Sequence, residues 1–264
     1  MSHFSVAVIS NDSGNGVEDL LAPYDENMEV APYIDMTKKN LIEEYNKNID
    51  EAKNKPDSYA RKMEDRDHIL NMSQEKFSRY FHGEESAIFD KDGNLLTTHN
   101  PDTKWDWWTE GGRWKNLLKM KRVYGGERCN SASLLEVDWD FLNRITKKHE
   151  KYLRRFWEIH VLGQKMTKAE EKSHDYFSIF DKEYYLKFYG SLEDYIKMTE
   201  TFHTYAVVTP DGMWYGLADM GYWGMDNSKP DTSREWKENW FENFIKPFMQ
   251  LKENHYITII DCHI

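Results

Sequence analysis

Residues 104–114, KWDWWTEGGRW, are the stretch of this chain best suited to chemistry. Trp105, Trp107 and Trp108 fall within four positions, and Gly111, Gly112, Arg113 and Trp114 close the segment. Indole faces stack on bases and sugars. A glycine pair lets a backbone approach a ligand closely or take up positive φ. An arginine beside it can grip a phosphate or carboxylate with two parallel hydrogen bonds. These residue types in this order describe a pocket for a nucleotide-like ligand. The competing reading is a tight turn packed by tryptophan, with Arg113 lying on an indole. The segment fits no phosphate-loop template.

A second aromatic and glycine-rich stretch spans residues 213–225, MWYGLADMGYWGM, and contributes Trp214, Tyr222 and Trp223. Loops of this kind carry function more often than the elements they join. If the two stretches meet in space, they line one aromatic pocket.

The third candidate is the last strand. Period-two alternation puts Asp261 and His263 on one face and Cys262 on the other. Asp261 and His263 count among the ligand-binding candidates, as an acid/base or metal-ligand pair, and together with Asp106 they are the groups a hydrolase would use. The alternative is a polar pair that closes the sheet. No His or Cys cluster at ligand spacing accompanies them, so neither a metal nor a cofactor is expected. Asp90, Asp92 and Asn94 look like the opening of a calcium loop, but the glycine is misplaced and the closing glutamate is missing. A hairpin turn is expected there instead. His149 and His160 fall on a helical stripe and read as core or boundary residues. The chain has no GxSxG, HExxH, CxxC or Walker pattern.

The elements that must position these residues follow from periodicity. Strands are expected over 4–9 and 256–264, with a short one over 29–34. Residues 19–24 read as a short apolar turn stopped by Pro23. Asp92-Gly93 and Pro210-Asp211-Gly212 mark hairpins over 87–98 and 204–217. Further strands are expected over 114–124 and 133–137, joined by Gly125-Gly126. Amphipathic helices are expected over 37–55, 138–160 and 234–251, with more helix over 57–82 and 164–203. Ser191 and Asp194 carry a capping pattern, and Pro247 is expected to kink its helix. The expected fold is α+β: one mixed or antiparallel sheet that includes both terminal strands, packed by three or more amphipathic helices. The expected organisation is a single domain over 1–264 with a helical insertion over about 138–203.

The totals narrow the classes. The chain has 264 residues, 39% of them hydrophobic and 31% charged, enough for a core without disulfides. Aromatic residues reach 15%, which suits either an aromatic core or a binding surface. A net charge of −11 repels phosphate backbones and disfavours general nucleic-acid binding. Acidity of this size also fits imitation of phosphate before a basic protein surface. Cys129 and Cys262 form no disulfide framework and favour a reducing compartment. No signal peptide or apolar span of membrane length is apparent, so a cytoplasmic protein without membrane partners is expected.

With KWDWWTEGGRW, LLAPYDENMEVAPYI, TYAVVTPDGMWY and the terminal TIIDCHI in view, the chain resembles a family of accessory proteins carried by phages, prophages and plasmids of Gram-positive bacteria. The likeness touches both ends and the middle. It implies a small accessory protein of a mobile element, acting in the host cytoplasm and countering host defence by binding. The partner would be a nucleotide-like signal that it sequesters or a defence protein that it blocks, and homo-oligomerisation is compatible with either. Two alternatives stay open: a hydrolase acting on a nucleotide or sugar, and a phage structural or assembly component.

Overall fold

A computed structural model describes residues 3–11, 16–54, 68–83, 87–217 and 230–264. The strands in chain order are β1 (His3–Ser10), β2 (Tyr33–Met36), β3 (Ile88–Phe89), β4 (Leu95–Thr97), β5 (Trp107–Glu110), β6 (Leu118–Lys119), β7 (Arg128–Cys129), β8 (Ser131–Ser133), β9 (Ala206–Val208), β10 (Trp214–Gly216) and β11 (Tyr256–His263). The contacts divide the chain into two compact units, residues 1–26 with 102–264, and residues 27–101.

The larger unit is built on a mixed sheet ordered β10-β9-β1-β11-β5, with β8 also paired to β11. The two terminal strands lie side by side. β1 and β11 run antiparallel in unbroken register from His3↔His263 to Ser10↔Tyr256, while β9 joins β1 in parallel. Both terminal strands are buried along nearly their whole length, which is why they read as apolar runs. This is the α+β architecture expected of the sequence, with both chain ends in the sheet.

Each face of the sheet has its own cover. On one face, Phe4, Val6, Val8, Ala206, Val208, Ile260 and Cys262 pack against Val17 and Leu21 of the Val17–Leu21 helix and against Trp105. On the other, Ala7, Ile9, Val207, Ile257 and Ile259 pack against Trp139, Trp240 and Ile245. Each buried valine, leucine or isoleucine among them contributes about 1.5–3 kcal/mol. That second face is apolar only over part of its length. Toward the start of β1 and the end of β11 it carries His3, Ser5, Asp261 and His263 instead.

Several elements depart from the periodicity, each for a local reason. The helix expected over 138–160 is two helices, Trp139–Leu142 and Lys147–His160. The Thr146 side chain accepts from the His149 N–H and starts the second helix, while the Asn143 side chain donates to the Trp139 carbonyl and ends the first. Helix over 164–203 is three short pieces, Lys168–Ser173, Lys182–Tyr189 and Leu192–Glu200, capped by Thr167, Asp181 and Ser191. The helix expected over 234–251 runs Pro230–Phe244, and a separate turn, Lys246–Met249, follows with Pro247 in its first positions. Of the strand expected over 114–124 only β6 forms, between the 3-10 turns Gly112–Trp114 and Arg122–Tyr124; it pairs with β7, and the contact with 133–137 is a single antiparallel bridge, Met120↔Val137. The short strand expected over 29–34 lies at Tyr33–Met36, and residues 19–24 continue from helix into the Ala22–Tyr24 3-10 turn.

The helical insertion has its own aromatic core of Leu153, Phe156, Trp157, Val161, Tyr185 and Tyr195. His149 and His160 lie at its margin, each with a partner: Glu200 for His149, and the Tyr176 carbonyl for His160. Where the insertion returns to the sheet, the His203 Nδ1–H donates to the Thr201 carbonyl at 2.8 Å. Burial pushes this imidazole down to about 4, well below the ordinary 6.5. Between those two pH values the unfolded chain binds a proton that the folded chain refuses, so stability is lost as pH falls. With about 1.4 kcal/mol per pKa unit and a ring that is only partly enclosed, the loss is on the order of 2 kcal/mol. His203→Gln is expected to flatten urea-denaturation midpoints measured from pH 7 to pH 4. An unchanged pH slope in that variant would assign the acid sensitivity elsewhere.

The smaller unit is a three-stranded antiparallel sheet ordered β2-β4-β3, with the Lys38–Asn54 and Gln74–Phe81 helices. Asp90 is spent inside its hairpin, where Oδ1 accepts from the Asp92 and Asn94 N–H groups. Those bonds and the Asn94 side chain hold its carboxyl below the usual range.

Candidate functional site

The polar end of the sheet is where titratable side chains converge. In β11, alternation turns Asp261 and His263 to the face opposite Cys262. Pairing places His3 of β1 directly beside His263, and Trp107 of β5 beside it on the other side. Asp106 immediately precedes β5, and its N–H donates to the His263 carbonyl at 3.0 Å.

Four side chains form two His–Asp pairs. The His3 Nδ1 lies 2.8 Å from Asp261 Oδ1, and the His263 Nδ1 lies 2.6 Å from Asp106 Oδ1. An ionised carboxylate only accepts, so each Nδ1 carries the hydrogen and each Nε2 is left as a free basic corner. The two rings meet edge to face with centroids 5.1 Å apart. Trp107 stacks on His263 at 5.1 Å, nearly parallel at 15°, and meets His3 edge-on at 5.3 Å. Asp261 is only 2% exposed and His263 4%, while Trp107 is 43% exposed. Among the described residues neither Nε2 has a protein partner, and the side chains of His3 and His263 are 13% and 6% exposed.

The glycine pair serves this cluster from below. Gly111 turns with φ +70, and its N–H donates to the Ile259 carbonyl at 2.8 Å. A Cβ there would lie 2.6–2.8 Å from the Asn130 side chain. Gly112 takes φ +45, and a Cβ on it would overlap the Cβ and carboxylate of Asp261. That close approach brings the Arg113 N–H to Asp261 Oδ2 at 2.9 Å, so both carboxylate oxygens are occupied. The Arg113 side chain is exposed, and its guanidinium has no partner among the described residues.

The other sequence candidates fall elsewhere. Trp105 is buried under the first face and donates its indole N–H to the Leu21 carbonyl at 3.3 Å. Trp108 packs half-buried on that same face, away from the histidines, and Trp214 joins it there against Phe4 and Tyr24. Trp114 packs against the core of the opposite face. Tyr222 and Trp223 lie outside the described residues. The tryptophans of residues 104–114 are therefore divided: Trp107 belongs to the polar cluster, and Trp105, Trp108 and Trp114 hold the turn in place. Cys262 backs the site from the apolar side, where burial and the Asp261 charge push its thiol far up. That leaves it no nucleophilic thiolate near neutral pH.

His3 is the member that reading the sequence missed. The signal was present in the alternation of HFSVAVIS, which puts His3 in phase with Ser5 and Ala7. It becomes informative only once the first and last strands are known to be neighbours in register.

Among the described residues no group of three or more His, Cys, Asp or Glu side chains is arranged to hold a metal ion, and no helix is long and apolar enough to cross a membrane. No family model matches the chain, and neither the curated proteins nor the solved structures contain a protein similar to it.

Proposed function

We propose that this protein binds a nucleotide-like, phosphate-bearing small molecule at the polar end of its main sheet. The observation that carries this reading is the grouping of an exposed indole, two imidazole Nε2 corners and an adjoining arginine turn on one surface. Trp107 offers the exposed part of its indole to a base, a contact worth about 1–3 kcal/mol. The unpaired Arg113 guanidinium supplies donors to the phosphate, and an imidazole protonated on Nε2 adds one, in a chain whose net charge of −11 would otherwise repel it. In this reading the protein is an accessory factor of a mobile element that sequesters a nucleotide signal of host defence in the host cytoplasm. The defence context rests on the sequence resemblance alone.

Isothermal titration against mono-, di- and cyclic nucleotides tests the binding. Trp107→Ala and Arg113→Ala are each expected to weaken the best ligand about tenfold to a hundredfold, with the protein still folded. Trp108→Phe, on the opposite face, is expected to bind as the native protein does. Absence of saturable binding across the panel, or equal binding by the Trp107 and Arg113 variants, would remove the reading.

A second reading, the blocking of a defence protein, has one observation in its favour. Phe177, Ile179 and Phe180 of the helical insertion are 70%, 77% and 47% exposed. Closely spaced exposed apolar side chains of this kind mark protein contact surfaces. The two readings separate by which substitution removes anti-defence activity: Phe177→Ser with Ile179→Ser, or Trp107→Ala.

A further inference from the structure

We infer that the paired histidines make this site an acid–base catalyst that cleaves a nucleotide phosphodiester, an inference that rests on the nucleotide-binding reading above. Two features of the cluster exceed what binding alone needs. A phosphate ligand is held well by arginine and backbone N–H groups, whereas here each of two imidazoles is fixed in ring orientation and tautomer by its own carboxylate. The carboxylates also differ in surroundings. Asp261 shares its charge with the Arg113 N–H, and its side chain is 3% exposed against 29% for Asp106. The two imidazoles, edge to face at 5.1 Å, are thus held side by side by carboxylates of unlike exposure.

The chemistry requires both. In phosphodiester hydrolysis a water oxygen forms the new P–O bond while the P–O bond to the sugar oxygen breaks. The neutral imidazole takes the proton from water on its Nε2. The protonated imidazole gives its Nε2 proton to the departing sugar oxygen, which is too basic to leave as an alkoxide. The two rings end with their protonation states exchanged, and proton exchange with solvent restores them. Water is consumed, one phosphomonoester and one alcohol are formed, and no electron transfer is involved. Each Nδ1–H stays on its carboxylate throughout, since it donates in both the neutral and the charged ring. His3 and His263 are the catalytic pair. Asp106 and Asp261 are positioning residues that also stabilise whichever ring is charged.

The test uses the whole chain and separates catalysis from binding. 2′,3′-Cyclic and 3′,5′-cyclic mononucleotides, cyclic dinucleotides and linear dinucleotides are incubated with protein, and products are resolved by chromatography. His3→Asn and His263→Asn are the informative variants. The asparagine amide can keep the hydrogen bond to the carboxylate while removing Nε2, so the fold is preserved. Each is expected to lower turnover of the cleaved diester about 10²–10⁴-fold with ligand affinity changed by less than about tenfold. The double variant is expected to fall little further than the worse single one. Titratable binding with no diester cleaved would overturn the catalytic inference and leave the binding reading standing. Cleavage unaffected by either asparagine variant would overturn it as well. Neither binding nor cleavage would remove both.

Discussion

An Asp261→Ala protein is expected to lose about 3–4 kcal/mol of stability, read as a lowered urea midpoint at unchanged slope. The carboxylate is nearly sealed from water and serves two donors, the His3 Nδ1–H of β1 and the Arg113 N–H of the Gly112–Trp114 turn. Removing it leaves both unpaired at the polar end of the sheet, and each orphaned donor costs about 1–3 kcal/mol. Asp261→Asn is expected to cost less, about 2 kcal/mol, because one amide oxygen still accepts from His3 while its NH2 group now faces the Arg113 N–H. A coupling experiment isolates the pair. His3→Ala in the Asp261→Ala background is expected to add markedly less than it does alone, since contacting residues are non-additive by about 0.5–3 kcal/mol. Additive losses would show that the His3–Asp261 contact contributes nothing of its own. The same double-mutant logic at His263 and Asp106 is expected to give a smaller coupling, because the Asp106 side chain is 29% exposed and water can replace it.

What was legible in the sequence follows the range of the interactions. The terminal strands announced themselves through apolar runs, and the hairpin at residues 204–217 through Pro210-Asp211-Gly212, because those signals are local. The face shared by Asp261 and His263 was equally local, being a matter of period two. The breaks at Asn143 and at Gly190 were less so. Apolar periodicity runs across both, and only the capping bonds of Thr146 and Ser191 decide that a new helix begins. Strand β5 was hidden because a tryptophan-rich stretch ending in two glycines reads as a loop. It becomes a strand through its pairing with β11, from Ile260↔Glu110 to His263↔Trp107. The same long-range pairing sorts Trp107 from Trp108, which one position of alternation sends to opposite faces. His3 joins the site by a contact spanning nearly the whole chain, and no window of sequence contains that information.

The glycine pair offers the sharpest separation between a turn kept for backbone freedom and one kept for space. Gly112→Ala is expected to destabilise the protein by about 2–5 kcal/mol. Two terms contribute. Left-handed backbone at φ +45 costs a side chain about 1–2 kcal/mol. Forcing a methyl group into the carboxylate of Asp261 adds the penalty of overpacking, about 1–3 kcal/mol. Gly163 supplies the control, since it has φ +71 and nothing within 4 Å of a Cβ. Gly163→Ala therefore carries the backbone term alone and is expected to cost about 1 kcal/mol. Equal losses at the two positions would mean that the turn yields to the added methyl, and that its closeness to Asp261 is not fixed. A second readout guards against a merely global effect. If the methyl group pushes the turn outward, the Arg113 N–H leaves Asp261, and the ring of His3 loses part of its anchor. The His3 imidazole signal is then expected to shift in NMR spectra of folded Gly112→Ala protein, while His149, which pairs with Glu200 in the helical insertion, stays where it was. Relief by Asp261→Gly, which removes the Cβ as well as the carboxylate, is expected to be larger than relief by Asp261→Ala, since the Cβ of Asp261 is itself one of the atoms in the way.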